Sequence, residues 1–184
     1  MQIRKYGMDV SFFCTFMVKA IAVSQQCLLL QGADLSNCDL SGINLSRANL
    51  SGANLSNANL SRANLKYANL AGADMSHADL SGAHLESVNL IGATLDGAKL
   101  VGSNLTRADM RTADLEGADL RGANLTEADI SGANFRRVEL ASACLERVDL
   151  EGADLKGTDI SQILSRAEQE SAGVSREWVS WGAH

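Results

Sequence analysis

From Leu35 to Ile160 an aliphatic or Phe residue stands at every fifth position without a break, giving twenty-six such centres. Only Met75, Met110, Ile130, Phe135 and Ile160 depart from Leu. Two residues before each centre sits a small residue, usually Ala, enlarged at Cys38, Ile43, Val88, Val138, Val148 and Thr158. Asp or Asn usually stands between the two, as at Asp34, Asn44, Asn49, Asp114 and Asp154. On an α-helix five residues advance about 500°, so successive centres would wander round the axis and leave no apolar face. On a strand an odd spacing throws consecutive centres to opposite sides. The pattern instead predicts a coil whose side is five residues long, with a corner in every pentad and both the centre and the small residue pointing inward. A fixed internal period of this kind is the mark of a solenoid.

The runs ADLSNCDL from Ala33 to Leu40, ANLSGANLSNANL from Ala48 to Leu60 and ADLEGADLRGANL from Ala113 to Leu125 resemble the A(D/N)LXX signature of the pentapeptide-repeat family. The resemblance covers about 70% of the chain. It implies an all-β fold, a right-handed quadrilateral parallel β-helix with four pentads per coil. On that footing 30–160 is the solenoid, 1–29 an N-terminal helical cap and 161–184 a C-terminal helical cap. Leu side chains twenty apart should stack in inner ladders, each burial worth about 1.5–3 kcal/mol. Phe135 is the one core residue expected to distort its coil, because a packed interior resists added volume. The Asp or Asn before each centre is expected to accept hydrogen bonds from turn amides, which makes most of these acids structural.

Charge narrows the partners. The chain carries 22 acids and 16 bases, net −6 at pH 7, and this disfavours a phosphate-binding surface. Direct nucleic-acid binding is not expected. The excess is uneven: residues 31–100 hold six acids and four bases, whereas residues 101–160 hold twelve acids and seven bases. Cys14, Cys27, Cys38 and Cys144 show no CxxC and no close His pairing, so no metal site and no cofactor is read. Cys14 and Cys27 are either buried thiols or a disulfide.

The two remaining positions of each pentad face solvent, and sorted by twenty-residue column they differ. One column, Gly52, Gly72, Gly92, Thr112, Gly132 and Gly152 beside residues such as Ala71 and Ile91, should be smooth and locally apolar. Another, Arg47, Tyr67, Ser87, Arg107, Glu127 and Arg147, is long and polar and is the better recognition surface. No enzyme is expected. His77 and His84 lie on different columns without a nucleophile partner, no GxSxG accompanies the serines, and no phosphate-binding glycine loop is present. The expected function is therefore a macromolecular interaction or scaffold role with a protein partner. The alternative, implied by the quinolone-resistance branch of the resembled family, is a DNA mimic that binds a type II topoisomerase such as gyrase. That branch favours Phe centres and projecting loops, which this Leu-centred, unbroken register lacks.

A stacked sheet needs its ends covered. From Asp9 to Gln26, Val10, Phe13, Met17, Ala20 and Ile21 fall at helical spacing and predict a helix over the first coil. The alternative is a secretory signal in residues 1–22, with Arg4 and Lys5 ahead of an apolar run and Ala20 and Ala22 at an A-x-A site. The cap reading places the protein in the cytoplasm, the signal reading outside it. The run is too short and too charged for a membrane span. At the other end Gln162 to Glu170 is rich in helix formers, and Val174, Trp178 and Trp181 place apolar residues on one side of a second short helix. Burial on the last coil, or a homodimer contact through that end, is the expected use of the two tryptophans.

Overall fold

A computed structural model describes residues 30–160. The predicted end helices, the signal-peptide alternative, Cys14, Cys27, Trp178 and Trp181 lie outside the described residues. Within them the chain is a four-sided parallel β-solenoid. Every β-bridge joins a residue to the one twenty further on, from Asp34↔Asn54 to Asn134↔Asp154. Each side is so short that its strand reduces to a single bridged residue, the Asp or Asn before the centre, with a turn at the next corner. No helix occurs among the described residues. The register runs unbroken and makes about six and a half coils.

The pentad persists because, where Asp or Asn precedes the centre, its five residues can satisfy all five of their amide donors. In 53–57, Ala53 N–H closes the turn onto the Leu50 carbonyl at 3.0 Å, Asn54 N–H donates down to Ala33, and Leu55 and Asn57 N–H donate up to Asp74 and Ser76. The fifth, Ser56 N–H, donates to Asn54 Oδ1 at 3.0 Å. The same bond recurs round the shaft, for instance Ser36 to Asp34, Ser46 to Asn44, Glu116 to Asp114 and Lys156 to Asp154. Asp and Asn thus share one structural task here, an Asx turn, and Asn adds a second, its Nδ2 donating along the stack, as from Asn59 to Asp39 at 3.0 Å and from Asn134 to Asp114 at 2.9 Å.

The second corner residue has φ near +60° in all twenty-six pentads from Gly32 to Gly157, divided between thirteen glycines and thirteen other residues. A positive φ at the third position of a four-residue turn is the signature of type II. Glycine suits it because the left-handed region costs other residues about 1–2 kcal/mol. The glycines seen in the sequence therefore mark a conformation that every corner shares.

Inside, Leu50, Leu55, Leu60, Leu65 and their equivalents are wholly buried, with Ala filling the space between. Phe135 is fully buried as well, and its coil does open. Val138 N–H, which in a regular pentad would close the turn on residue 135, donates instead to Thr158 Oγ1 at 2.9 Å. The Thr158 hydroxyl in turn donates to the Phe135 carbonyl. A hydroxyl one coil away thus bridges the turn that Phe135 and the enlarged Val138 share; at the other enlarged positions Cys38, Ile43 and Val148 the turn bond also lengthens, to 3.3, 3.2 and 3.4 Å. Ser103, at the same small-residue position on another side, is 1% exposed, and its hydroxyl has no protein partner. Towards the last coil Leu145, Val148, Leu150 and Leu155 are only partly buried. Cys38 is disulfide-bonded, whereas Cys144 is a free thiol.

Candidate interaction surface

Four faces can be distinguished, each taken with the corner that follows it. Face 1 has centres at Leu35, Leu55 and onward by twenty, face 2 at Leu40 and Leu60, face 3 at Leu45 and Leu65, and face 4 at Leu30 and Leu50. The corner row of face 3 is Arg47, Tyr67, Ser87, Arg107, Glu127 and Arg147, all at positive φ between 54° and 60°. No glycine occurs in it. Face 4 is the opposite case, with Gly32, Gly52, Gly72, Gly92, Gly132 and Gly152 at its corners and only Thr112 interrupting. A β-carbon on Gly32, Gly52 or Gly72 would meet nothing within 4 Å, so this edge of the shaft is open and smooth.

Side chains of the face 3 row reach along the axis to the next coil, about 4.8 Å away. The Arg47 guanidinium lies over the Tyr67 ring, 5.6 Å from its centroid, a cation–π pair worth about 0.5–1 kcal/mol when exposed. Tyr67 remains 60% exposed. Arg107 Nε donates to Glu127 Oε2 at 2.7 Å, and Arg147 Nη2 approaches Glu127 Oε1 at 3.1 Å. The hydrogen bond and charge of Arg107, reinforced by Arg147, hold the Glu127 carboxyl below its ordinary pKa. Five of the sequence-predicted residues, Arg47, Tyr67, Arg107, Glu127 and Arg147, are thus brought into one ordered row. Trp178 and Trp181 lie outside the described residues.

Beside the row runs a polar cluster that column sorting of the corner residues alone did not find. Glu86 Oε1 accepts from Lys66 Nζ and from Asn104 Nδ2, both at 2.9 Å, with His84 Nδ1 3.9 Å away. Glu86 Oε2 is buried without a protein partner. Applying the twenty-residue arithmetic to the first corner position as well would have placed Lys66 below Glu86.

Elsewhere the acids are held by local donors. Arg111 clamps Asp109, approached at 2.7 Å, and reaches Asp129 at 3.6 Å; Arg121 clamps Asp119. Arg111 and Arg121 hydrogen bonds hold Asp109 and Asp119 below the usual carboxylate range, and the Ser41 hydroxyl and amide do the same for Asp39. For Asp79 burial pushes upward, but Ser81 and Lys99 outweigh it and the pKa is lowered. Six of the seven bases in 101–160 are engaged with acids of the chain itself: Arg107, Arg111, Arg121, Arg136, Arg137 and Arg147. Among the described residues no group of three or more His, Cys, Asp or Glu could hold a metal ion, and no helix is long and apolar enough to cross a membrane.

Residues 29–66, 43–82, 68–107, 78–117, 103–140 and 118–157 match the family model of pentapeptide repeats, in eight copies. No curated protein matches the chain. Among solved structures, HetL of the cyanobacterium Nostoc sp. strain PCC 7120, a pentapeptide repeat protein involved in heterocyst differentiation regulation, is 26% identical. The match covers 76% of this chain and 95% of HetL, with a TM-score of 0.36. A second Nostoc PCC 7120 pentapeptide repeat protein is 31% identical over 79% of this chain and 94% of its own, with a TM-score of 0.24. QnrB1, a plasmid-mediated fluoroquinolone resistance protein, is 22% identical over 77% and 96%, with a TM-score of 0.44.

Proposed function

Because this chain belongs to the pentapeptide-repeat family, with the right-handed quadrilateral β-helix that the family implies, we propose that it is a non-enzymatic interaction or scaffold protein that binds a protein partner along face 3. One observation carries this reading. At all six corners of face 3 the chain places a side chain in a backbone conformation that glycine adopts at least cost, and at none does it use glycine. Left-handed strain concentrated in this way points to a use for the side chains it supports. Arg47 with Tyr67, and Arg107 and Arg147 with Glu127, are partly ordered by mutual contacts, which lowers the conformational freedom lost on binding.

A second reading, a DNA mimic that engages a type II topoisomerase, is favoured by the acid excess of 101–160, where Asp109, Asp129 and Asp149 stand on successive coils. Two measurements separate the readings. Affinity capture from the source organism with the wild-type chain, the double variant Tyr67→Ala/Arg107→Ala, and a face 4 variant should recover a protein that only the face 3 variant loses. Capture indifferent to face 3 contradicts the interaction reading. Inhibition or protection of gyrase supercoiling by the purified protein supports mimicry instead.

The two ends complete the proposal. Residues 1–29 and 161–184 act as caps, and a homodimer contact through the C-terminal end uses Trp178 and Trp181; the partly buried Leu145, Val148, Leu150 and Leu155 of the last coil support this reading. The bond at Cys38 favours an oxidising compartment.

A further inference from the structure

The position before each centre is usually occupied by Asp or Asn, either of which makes the Asx turn to the amide two residues on. Bonds of this kind are made alike by Asp34, Asp39 and Asp74 and by Asn44, Asn64 and Asn124. The turn itself does not discriminate between the two residues; Asn adds an Nδ2 donor toward a neighbouring coil at places such as Asn54, Asn59, Asn69 and Asn134, and the choice between them also sets the charge of each face. Acids occupy four of the seven such positions on face 1, five of seven on face 2 and three of six on face 4. On face 3 they occupy none: the row reads Asn44, Asn64, His84, Asn104, Asn124 and Cys144.

The remaining charges follow the same division. Face 3 carries four bases, Arg47, Lys66, Arg107 and Arg147, against three acids, Glu86, Glu127 and Glu146, a net of +1. The corresponding nets are −3, −2 and −3 on faces 1, 2 and 4. Three properties thus coincide on one side of the shaft: no acid in the bridged row, no glycine at the corners, and the exposed Tyr67 beneath Arg47.

We infer that face 3 receives an acidic, extended segment of its partner protein, lying parallel to the solenoid axis; this rests on the interaction reading given above. Three acidic faces repel such a segment, so it is steered to the one side that does not, which is how charge complementarity selects a partner and its orientation. From the coil of Arg47 to the coil of Arg147 is five steps, about 24 Å, and this matches roughly seven or eight residues of extended chain. Arg47 on the Tyr67 ring offers an aromatic and cationic anchor at one end, and the outward guanidinium groups of Arg107 and Arg147, 67% and 74% exposed, offer donors at the other. A long polyanion such as duplex DNA would also meet the acidic flanks and is excluded on the same ground.

The test uses the exchangeability of Asp and Asn. The triple variant Asn44→Asp/Asn64→Asp/Asn124→Asp keeps each Oδ1 acceptor and adds three negative charges to face 3. The triple Asn49→Asp/Asn69→Asp/Asn89→Asp adds three negative charges to face 4 and also removes the Asn69-to-Asn49 side-chain bond, so it is the harsher structural control. Fluorescein-labelled octaglutamate is titrated at low ionic strength with the full chain and read by anisotropy, with octalysine and a short DNA duplex as parallel probes and circular dichroism confirming that both variants fold. The expected result is that octaglutamate binds the wild type and the face 4 triple equally and the face 3 triple at least tenfold more weakly. No binding to the wild type, equal loss in both triples, or tighter binding of octalysine or DNA overturns the inference. Any of these leaves the interaction reading to the capture experiment, whose outcome does not depend on the sign of the partner's charge.

Discussion

Removing one hydroxyl from the small-residue position should have opposite effects at two places in this shaft. Ser103 is buried between the Ala83 and Ala123 coils, and its Oγ has no protein partner. A buried hydroxyl without a partner forfeits its hydration, at a cost of about 1–3 kcal/mol. Ser103→Ala removes that cost and loses almost no packing, because Ala already fills this position in the coils on either side. We expect a gain of about 1 kcal/mol, or about 2–4 °C in melting temperature for a chain of this size. Thr158 has both partners, accepting from Val138 N–H at 2.9 Å and donating to the Phe135 carbonyl. Thr158→Val keeps the shape and orphans two buried backbone groups, so a loss of about 2 kcal/mol is expected. In a solenoid this loss should be felt first in the terminal coil. Thermal melting followed by circular dichroism gives the first sign, and hydrogen exchange at the Val138 amide gives the second. A destabilised Ser103→Ala would show that the hydroxyl is satisfied after all. An unchanged Val138 exchange rate in Thr158→Val would show that the turn at Phe135 closes without the hydroxyl.

Three further outcomes follow from the same structure. Gly117→Ala, at φ +67° with open space around it, should cost about 1 kcal/mol, whereas Ser87→Gly, at φ 54°, should gain up to about 1 kcal/mol in chemical denaturation. Leu95→Asp replaces a side chain that is 1% exposed at mid-shaft and should abolish folding; a soluble, cooperatively melting variant would contradict the inward assignment. Asp39, Asp79, Asp109, Asp119 and Glu127 all have lowered pKa values when folded. Their stabilisation is therefore present above the ordinary carboxylate pKa and is lost as pH falls through the folded values. Melting temperature should hold between pH 7 and about 5 and decline below about 4, and a rise in that lower range would show that relief of carboxylate repulsion dominates instead.

The solenoid was legible because its period is incompatible with either ordinary secondary structure, and because Leu, Ala and Asp or Asn each recur at one phase. The Asx bond from Ser36 to Asp34 and its equivalents could be anticipated from residue type alone. Glycine drew attention to the corners, yet half of the corners lack it, and nothing in Arg107 or Tyr67 announces a left-handed backbone. That conformation is imposed by coil stacking, which overrides residue preference. Phe135 was legible as a misfit, but its remedy comes from Thr158, twenty-three residues later, and depends on a turn opening just enough to admit a hydroxyl. The row from Arg47 to Arg147 was legible as a column. The cluster of Lys66, His84, Glu86 and Asn104 beside it was not, because it joins two different pentad positions across three coils.

The central claim is that the partner meets face 3, and site-specific photo-crosslinking tests it most directly. A photoreactive residue is placed at position 67 or 127 on face 3 and, in parallel, at position 72 or 132 on face 4, and the full chain is irradiated in extract of the source organism. The account predicts one discrete adduct from the face 3 positions, reduced by Arg107→Ala, and none from face 4. The same adduct from both faces, or from face 4 alone, would contradict it.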